Sequence, residues 1–282
     1  MENKVKLYEQ VAFENSESLT KRYSTSFSSA IRLLHPKLHA PIYGIYGFVR
    51  VADEIVDSFH HIDQAATLAA FKKETYEAIE KKFSTNPILH SFQSVVHEYK
   101  IQHDLIESFF KSMEMDLDKK AYHTQEEYQS YIYGSAEVVG LMCLAVFCEG
   151  NKDYCNSLVA PARALGSAFQ KINFLRDLKE DYVDLKRTYF PNVDFDNLSE
   201  ADKDAIILDI ENDFQNGLEG IRRLPLSSRF GVYTAFNYYY KLFEKIKKVP
   251  AKTIQQERIR IPDIRKFFIL LESYLTIQLN RI

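Results

Sequence analysis

The stretch Gln170 to Pro191, QKINFLRDLKEDYVDLKRTYFP, packs acids, amides and arginines together at helical spacing. On a helix, residues three and four apart are neighbours, so Asn173, Asp177 and Asp181 stack along one stripe, with Gln170 one turn before them. Two carboxylates so placed repel each other. The arrangement therefore makes more sense beside a cation than on a solvated face. Oxygen ligands from carboxylates, supplemented by substrate phosphates, are what Mg²⁺ prefers.

The pattern recurs upstream. In FVRVADEIVDSF, Asp53 and Asp57 are again four apart, and Arg50 precedes them by one turn as Arg176 adjoins Asp177. Two such pairs, each inside a strongly apolar helix, read as two walls of one site that holds metal and a polyanion.

The rest of the chain suits this reading. Its 282 residues include 9 Gly and 8 Pro against 18 Tyr and 20 Phe, a composition for long helices around an aromatic interior. Nothing resembles a linker, so residues 1–282 read as a single domain. A net charge of −3 argues against nucleic-acid binding. Cys143, Cys148 and Cys155 have neither a disulfide nor a zinc spacing, which fits a reducing compartment. The opening MENKVKLYEQ lacks an apolar leader core, and the run Phe267 to Leu271 is too short to span a bilayer; a soluble or peripheral protein is expected.

Helical periodicity predicts an all-α fold, with segments near 3–15, 19–34, 39–58, 63–83, 87–99, 103–117, 125–149, 153–183, 200–219, 227–248 and 262–280. Breaks fall at His35-Pro36, Asn86-Pro87, Glu149-Gly150-Asn151 and Asn192 to Glu200, with Ser199 as a helix N-cap. Tyr131 to Phe147 is apolar almost all round, with small residues at Gly134, Ser135, Ala136 and Gly140. It reads either as tight helix packing or as the wall of a long apolar pocket that includes Val138, Val139 and Gly140. No P-loop or GxGxxG is present. The histidines, among them His60, His61, His90, His97 and His103, have no triad or zinc spacing, so surface or packing roles are expected.

Facing acidic helices can chelate Mg²⁺ that bridges a diphosphate while Arg50, Arg176 and Arg187 neutralise its remaining charge. Departure of diphosphate leaves a carbocation, which aromatic rings such as Phe27, Tyr46 and Phe48 can shelter.

From about Ser24 to Lys266 the chain resembles the squalene and phytoene synthases, the head-to-head trans-isoprenyl diphosphate synthases. The motifs are SxSF at Ser24, Ser26 and Phe27; RxxDxxxD at Arg50, Asp53 and Asp57; MExDL at Met113 to Leu117; and the apolar helix Tyr131 to Gly140. The most specific is QxxNxxRDxxxDxxxxxRxYxP at Gln170, Asn173, Arg176, Asp177, Asp181, Arg187, Tyr189 and Pro191. The resemblance implies an isoprenoid-synthase helical bundle around a central apolar cavity. In it Asp53, Asp57, Asp177 and Asp181, with Asn173, hold Mg²⁺ or Mn²⁺. Arg50, Arg176 and Arg187 hold diphosphate, oriented by Gln170 and Asn173, with Tyr239 and Arg258 as later diphosphate contacts and Ser24 and Ser26 in a closing flap.

The implied activity joins two geranylgeranyl diphosphates through a cyclopropylcarbinyl diphosphate to phytoene, without NADPH. The alternatives are a squalene or dehydrosqualene synthase acting on farnesyl diphosphate, and an inactive helical scaffold. Departures from the family pattern are Glu54, Ser112, Glu137 and Lys186; Glu137 either alters the pocket or pairs with a basic neighbour at a helix crossing. A short chain of this style resembles the bacterial carotenoid members. It is expected in the cytoplasm, peripherally at the inner membrane face, where KIKK at 245–248 and RIR at 258–260 approach anionic lipid or end solvated helices.

Overall fold

The computed structural model describes residues 2–119, 121–180, 182, 187–191, 193–194 and 197–279. Among them there is no strand, only an isolated parallel bridge between Ala121 and Thr188. The all-α expectation holds, with fourteen α-helices among the described residues and a short 3₁₀ turn at Pro36–Leu38.

A long and a short helix meet at Ser24. α1 (Glu2–Tyr23) runs unbroken through the interruption expected near residue 16, and α2 (Thr25–Ile31) starts where the Ser24 hydroxyl accepts a hydrogen bond from the Phe27 N–H at 3.2 Å. α3 (His39–Asp57) carries the first acidic pair. It packs on α1, α4 (Gln64–Lys81), α5 (Pro87–Tyr99) and α6 (His103–Asp118). Phe48 of α3 is fully buried among their rings, stacked on Phe92 at 3.8 Å and near Phe109 and Phe110.

The apolar segment forms α7 (Gln125–Ile132), a π-helical turn at Tyr133–Glu137, and α8 (Val138–Phe147). By length and composition, Gln125–Phe147 is apolar enough to cross a membrane, a far longer apolar stretch than Phe267 to Leu271. In the fold it packs against α3, α5 and α6, which accounts for its apolarity as that of a core helix. Gly134 makes this possible: a Cβ there would lie 2.4 Å from the Ser108 carbonyl oxygen and 2.8 Å from Ser112 Cβ. Ser112, buried, donates its hydroxyl to the Phe109 carbonyl, so the missing side chain at Gly134 gives room to this serine.

The remaining helices deliver the second acidic motif. The expected helix at 153–183 divides into α9 (Lys152–Asn156) and α10 (Val159–Glu180). The back of α10 is fastened to α11 (Glu200–Arg223) by buried Lys171, whose Nζ lies 2.5 Å from Asp209 and 2.7 Å from Asp213. Ser199 caps α11 reciprocally with Asp202, as the sequence predicts. α12 (Leu226–Lys248) and α13 (Ala251–Gln256), the latter unforeseen, also pack on α10, and α14 (Asp263–Gln278) lies on α12. Cys143, Cys148 and Cys155 are free thiols.

Gly134→Ala should destabilise the protein by about 1–3 kcal/mol, because the clash at the α6 crossing is with backbone and cannot be relieved by a rotamer change. Thermal melting followed by circular dichroism checks this; a melting temperature equal to or above that of the parent would refute the packing argument.

Candidate active site

The two acidic motifs come together. A cavity of about 340 Å³ is lined by Arg50, Asp53 and Asp57 of α3, by Gln170, Asn173, Arg176 and Asp177 of α10, and by Arg187. Tyr46, Val49, Phe109, Met113, Tyr131, Phe174 and Tyr189 supply an apolar and aromatic lining, so charge and hydrocarbon surface share one space. Asp181 and Lys186 lie outside the described residues.

Every described acid of the motifs is engaged by arginine. Arg50 reaches Asp53 at 2.8 Å and also pairs with Glu54, while its guanidinium lies over the Tyr23 ring at 4.5 Å. Glu54 therefore holds Arg50 from within α3. Asp177 receives the Arg176 Nε at 2.8 Å, a second bond from Arg176 Nη2, and the Arg258 Nε at 2.8 Å. Arg258 also donates to Glu180 at 2.7 Å, which ties the segment after α13 to α10.

Arg187 is buried and joins three elements. Its Nη1 donates to Asp57 Oδ1 at 2.7 Å and its Nη2 to the Asp116 carbonyl at 2.8 Å. The local backbone explains the placement: Thr188 pairs with Ala121, its carbonyl accepting from the Tyr122 N–H at 3.4 Å. Tyr189 then stacks on Phe174 at 3.8 Å.

The amides form a chain along α10. Gln170 Nε2 donates to Ser135 Oγ at 3.4 Å, Asn173 Nδ2 to Gln170 Oε1 at 3.5 Å, and Tyr239 donates its hydroxyl to Asn173 Oδ1 at 3.2 Å. Tyr239, stacked on Phe169 at 4.0 Å, thus reaches the cavity through Asn173.

Burial, and then repulsion from Asp57, raise the Asp53 carboxyl above its ordinary range, with Arg50 and Arg187 opposing. The oxygen donors Asp53, Asp57, Asn173 and Asp177 fit a hard divalent cation, and they could hold one. Among the described residues, no group of three or more His, Cys, Asp or Glu side chains already converges on a single point.

The expected wall of the apolar pocket needs correction. Of the six residues expected to wall the apolar pocket, Tyr46 lines the cavity. Phe48 is spent on the aromatic core. Phe27 packs on Tyr46 at 5.1 Å, outside the lining. Val138 is buried and Val139 half-buried within the packing, and a Cβ on Gly140 would meet the Ala162 carbonyl at 3.3 Å, so this part of the helix is a crossing with α10. Tyr131 and Ser135, half a helix earlier, face the cavity instead. Ser24 and Ser26, at the start of α2, are not among its lining residues. Glu137 pairs with Arg163 at 2.5 Å, the helix-crossing alternative.

Asp116, the aspartate of the MExDL motif, joins the site although the sequence pattern assigns it no role. Its side chain is buried, its Oδ1 lacks a hydrogen-bond partner, and it lines the cavity. Burial pushes its carboxyl up to about 7, against the pull of Arg187 and with a further push from Asp57. The motif spacing was the available signal; burial was not visible in it.

The fold and site define an all-helical protein whose central cavity joins acidic and basic side chains to an aromatic wall. The Squalene/phytoene synthase family model matches residues 20–265, and the chain belongs to that family. It is 28% identical to 15-cis-phytoene synthase of Synechocystis, over 95% of this chain and 86% of that protein. It is 26% identical to phytoene synthase 3, chloroplastic, of Zea mays, over 94% of this chain but about two thirds (66%) of the maize protein. The fold is that of a ligand-bound dehydrosqualene synthase (TM-score 0.83, 22% identity, 96% of this chain and 98% of that one) and of a squalene synthase from Alicyclobacillus acidocaldarius (TM-score 0.72, 20% identity, 89% and 97%).

Asp116 offers a test of the electrostatics. Its folded carboxyl keeps the proton up to about 7, whereas the unfolded group releases it near 3.8, so the protein loses stability as pH rises between those values and no further above them. Asp116→Asn has no such proton to lose. The melting temperature of this variant relative to the parent should climb across that window, by an amount worth roughly a few kcal/mol, and then level off. A difference independent of pH would contradict the assignment.

Proposed function

We propose that the protein is a phytoene synthase, joining two geranylgeranyl diphosphates head to head with release of two diphosphates. The observation that carries this reading is one cavity that holds both acidic motifs, their arginines and an aromatic wall; the phytoene synthases among its relatives support the choice of product.

Asp53, Asp57, Asn173 and Asp177 are the residues that would hold Mg²⁺, or Mn²⁺, with Asp181 as a further donor. When bound, the cation supplies charge that stabilises departing diphosphate. Arg50, Arg176, Arg187 and Arg258 bind the remaining phosphate oxygens by paired charged hydrogen bonds. Gln170, Asn173 and Tyr239, already hydrogen-bonded in sequence, orient that cluster.

In the first half-reaction the C–O bond of one substrate breaks and its electron pair leaves with diphosphate. The double bond of the second substrate attacks the carbocation, and proton loss closes a cyclopropane. In the second, the retained diphosphate leaves, the ring rearranges, and loss of another proton gives phytoene, so no reductant is consumed. Tyr46, Phe109, Phe174 and Tyr189 line the cavity, where they exclude water and lend aromatic surface to the cationic carbon.

The test is a product assay with purified protein, Mg²⁺, and either geranylgeranyl or farnesyl diphosphate, each with and without NADPH, read by mass spectrometry. Phytoene from geranylgeranyl diphosphate without NADPH is expected. Squalene or dehydrosqualene from farnesyl diphosphate would move the reading to the triterpene branch, and no product at all would leave a scaffold. Asp53→Asn and Asp177→Asn should each lower turnover by at least about 100-fold with helix content intact; retained turnover in both would sink the metal assignment.

A further inference from the structure

α14 presents its apolar face outward. Ile264, Phe268, Leu271, Leu275 and Leu279 recur at helical spacing on one stripe and are 45–68% exposed. The opposite face is the seated one: Ile269 and Ser273 are buried, and Ser273 accepts a hydrogen bond from Asn237 Nδ2 of α12 at 3.1 Å. A helix of a water-surrounded protein has the reverse polarity. Beside the stripe an apolar groove of about 270 Å³ runs between Leu33, Phe230, Leu270, Leu271 and Tyr274.

The charges around the stripe are mainly cationic. Arg260 and Arg265 are exposed at its amino-terminal end, and Arg32 is exposed beside Leu33 at the groove. Glu272, on its flank, is paired with Lys241 at 3.1 Å. A second copy of the chain is a poor occupant. Sixteen helical residues span ~24 Å and a stripe is ~10 Å wide, so it offers only a few hundred Å², against roughly 800 Å² per partner in a stable interface. A bilayer surface needs no more than such a face with basic residues at its edge.

We propose that α14 docks the protein on an anionic lipid surface, with Ile264, Phe268, Leu271, Leu275 and Leu279 entering the acyl boundary and the groove taking a lipid chain. The proposal deepens the prenyl diphosphate reading, since substrates and product of that reaction partition into lipid. α12 links the two regions: Phe230 lines the groove and Tyr239 contacts Asn173.

The test uses the full chain without substrate, so its outcome is independent of the catalytic reading. Vesicles of phosphatidylcholine with phosphatidylglycerol should co-sediment the parent protein, and Ile264→Ser/Leu275→Ser should reduce the bound fraction at least fivefold. Leu208→Ser, at an exposed position on α11, should bind as the parent does. Because the chain contains no tryptophan, Leu275→Trp adds a single reporter to the stripe, with no loss of apolar surface. Its emission should shift to the blue on adding vesicles and be quenched by brominated acyl chains. Absence of parent binding, equal binding by the double serine variant, or an unshifted reporter spectrum would overturn the proposal. So would light scattering that shows the stripe holding a dimer.

Discussion

Acidic side chains gathered in a low-dielectric cavity need compensating charge, and the arrangement of α3, α10 and their connecting segments answers that need. Asp53, Asp57 and Asp177 are each met by a guanidinium group, from Arg50, Arg187, and Arg176 with Arg258. These arginines arrive from different places: two from the acidic helices themselves, two from segments that follow α10 and α13. Removing one partner from such a set leaves a half-buried charge uncompensated, which is why the surrounding helices must hold their positions closely. Lys171 does so from behind, pinning α10 to α11 through Asp209 and Asp213. Gly134 does so at the crossing with α6.

The same arrangement suits exchange of partners. Arginines that neutralise carboxylates in the free protein have the fork geometry for phosphate oxygens, so arrival of cations and diphosphate together would redistribute contacts without leaving any charge alone. Glu54 bears on this for Arg50. Held by Glu54 from within α3 and stacked on Tyr23, Arg50 has a defined place even when Asp53 turns elsewhere.

Helices and acidic motifs were legible because both depend on spacing: four-residue intervals put Asp53 with Asp57, and Asn173 with Asp177, whatever packs nearby. Burial depth was not legible. Phe48, two residues on from the cavity residue Tyr46, points to the other side of α3 and is buried among Phe92, Phe109 and Phe110. On the apolar helix, periodicity is nearly absent, so nothing in the pattern distinguishes Tyr131 and Ser135, which face the cavity, from Val138 to Gly140, which meet neighbouring helices. Asp116 was visible as a motif letter, but its burial beside Arg187, 3.9 Å from its Oδ1, follows from contacts between α6 and the Arg187 segment. α13 was hidden because six residues give too few turns for a period to register.

The central claim is that the paired carboxylates and arginines form a cation-dependent diphosphate site. Calorimetric titration with the non-hydrolysable geranylgeranyl thiodiphosphate, at matched ionic strength with and without Mg²⁺, tests it most directly. Saturable binding that requires Mg²⁺, and that is lost in Asp177→Asn, is the predicted result. Equal affinity with and without Mg²⁺, or no binding in either condition, would contradict it.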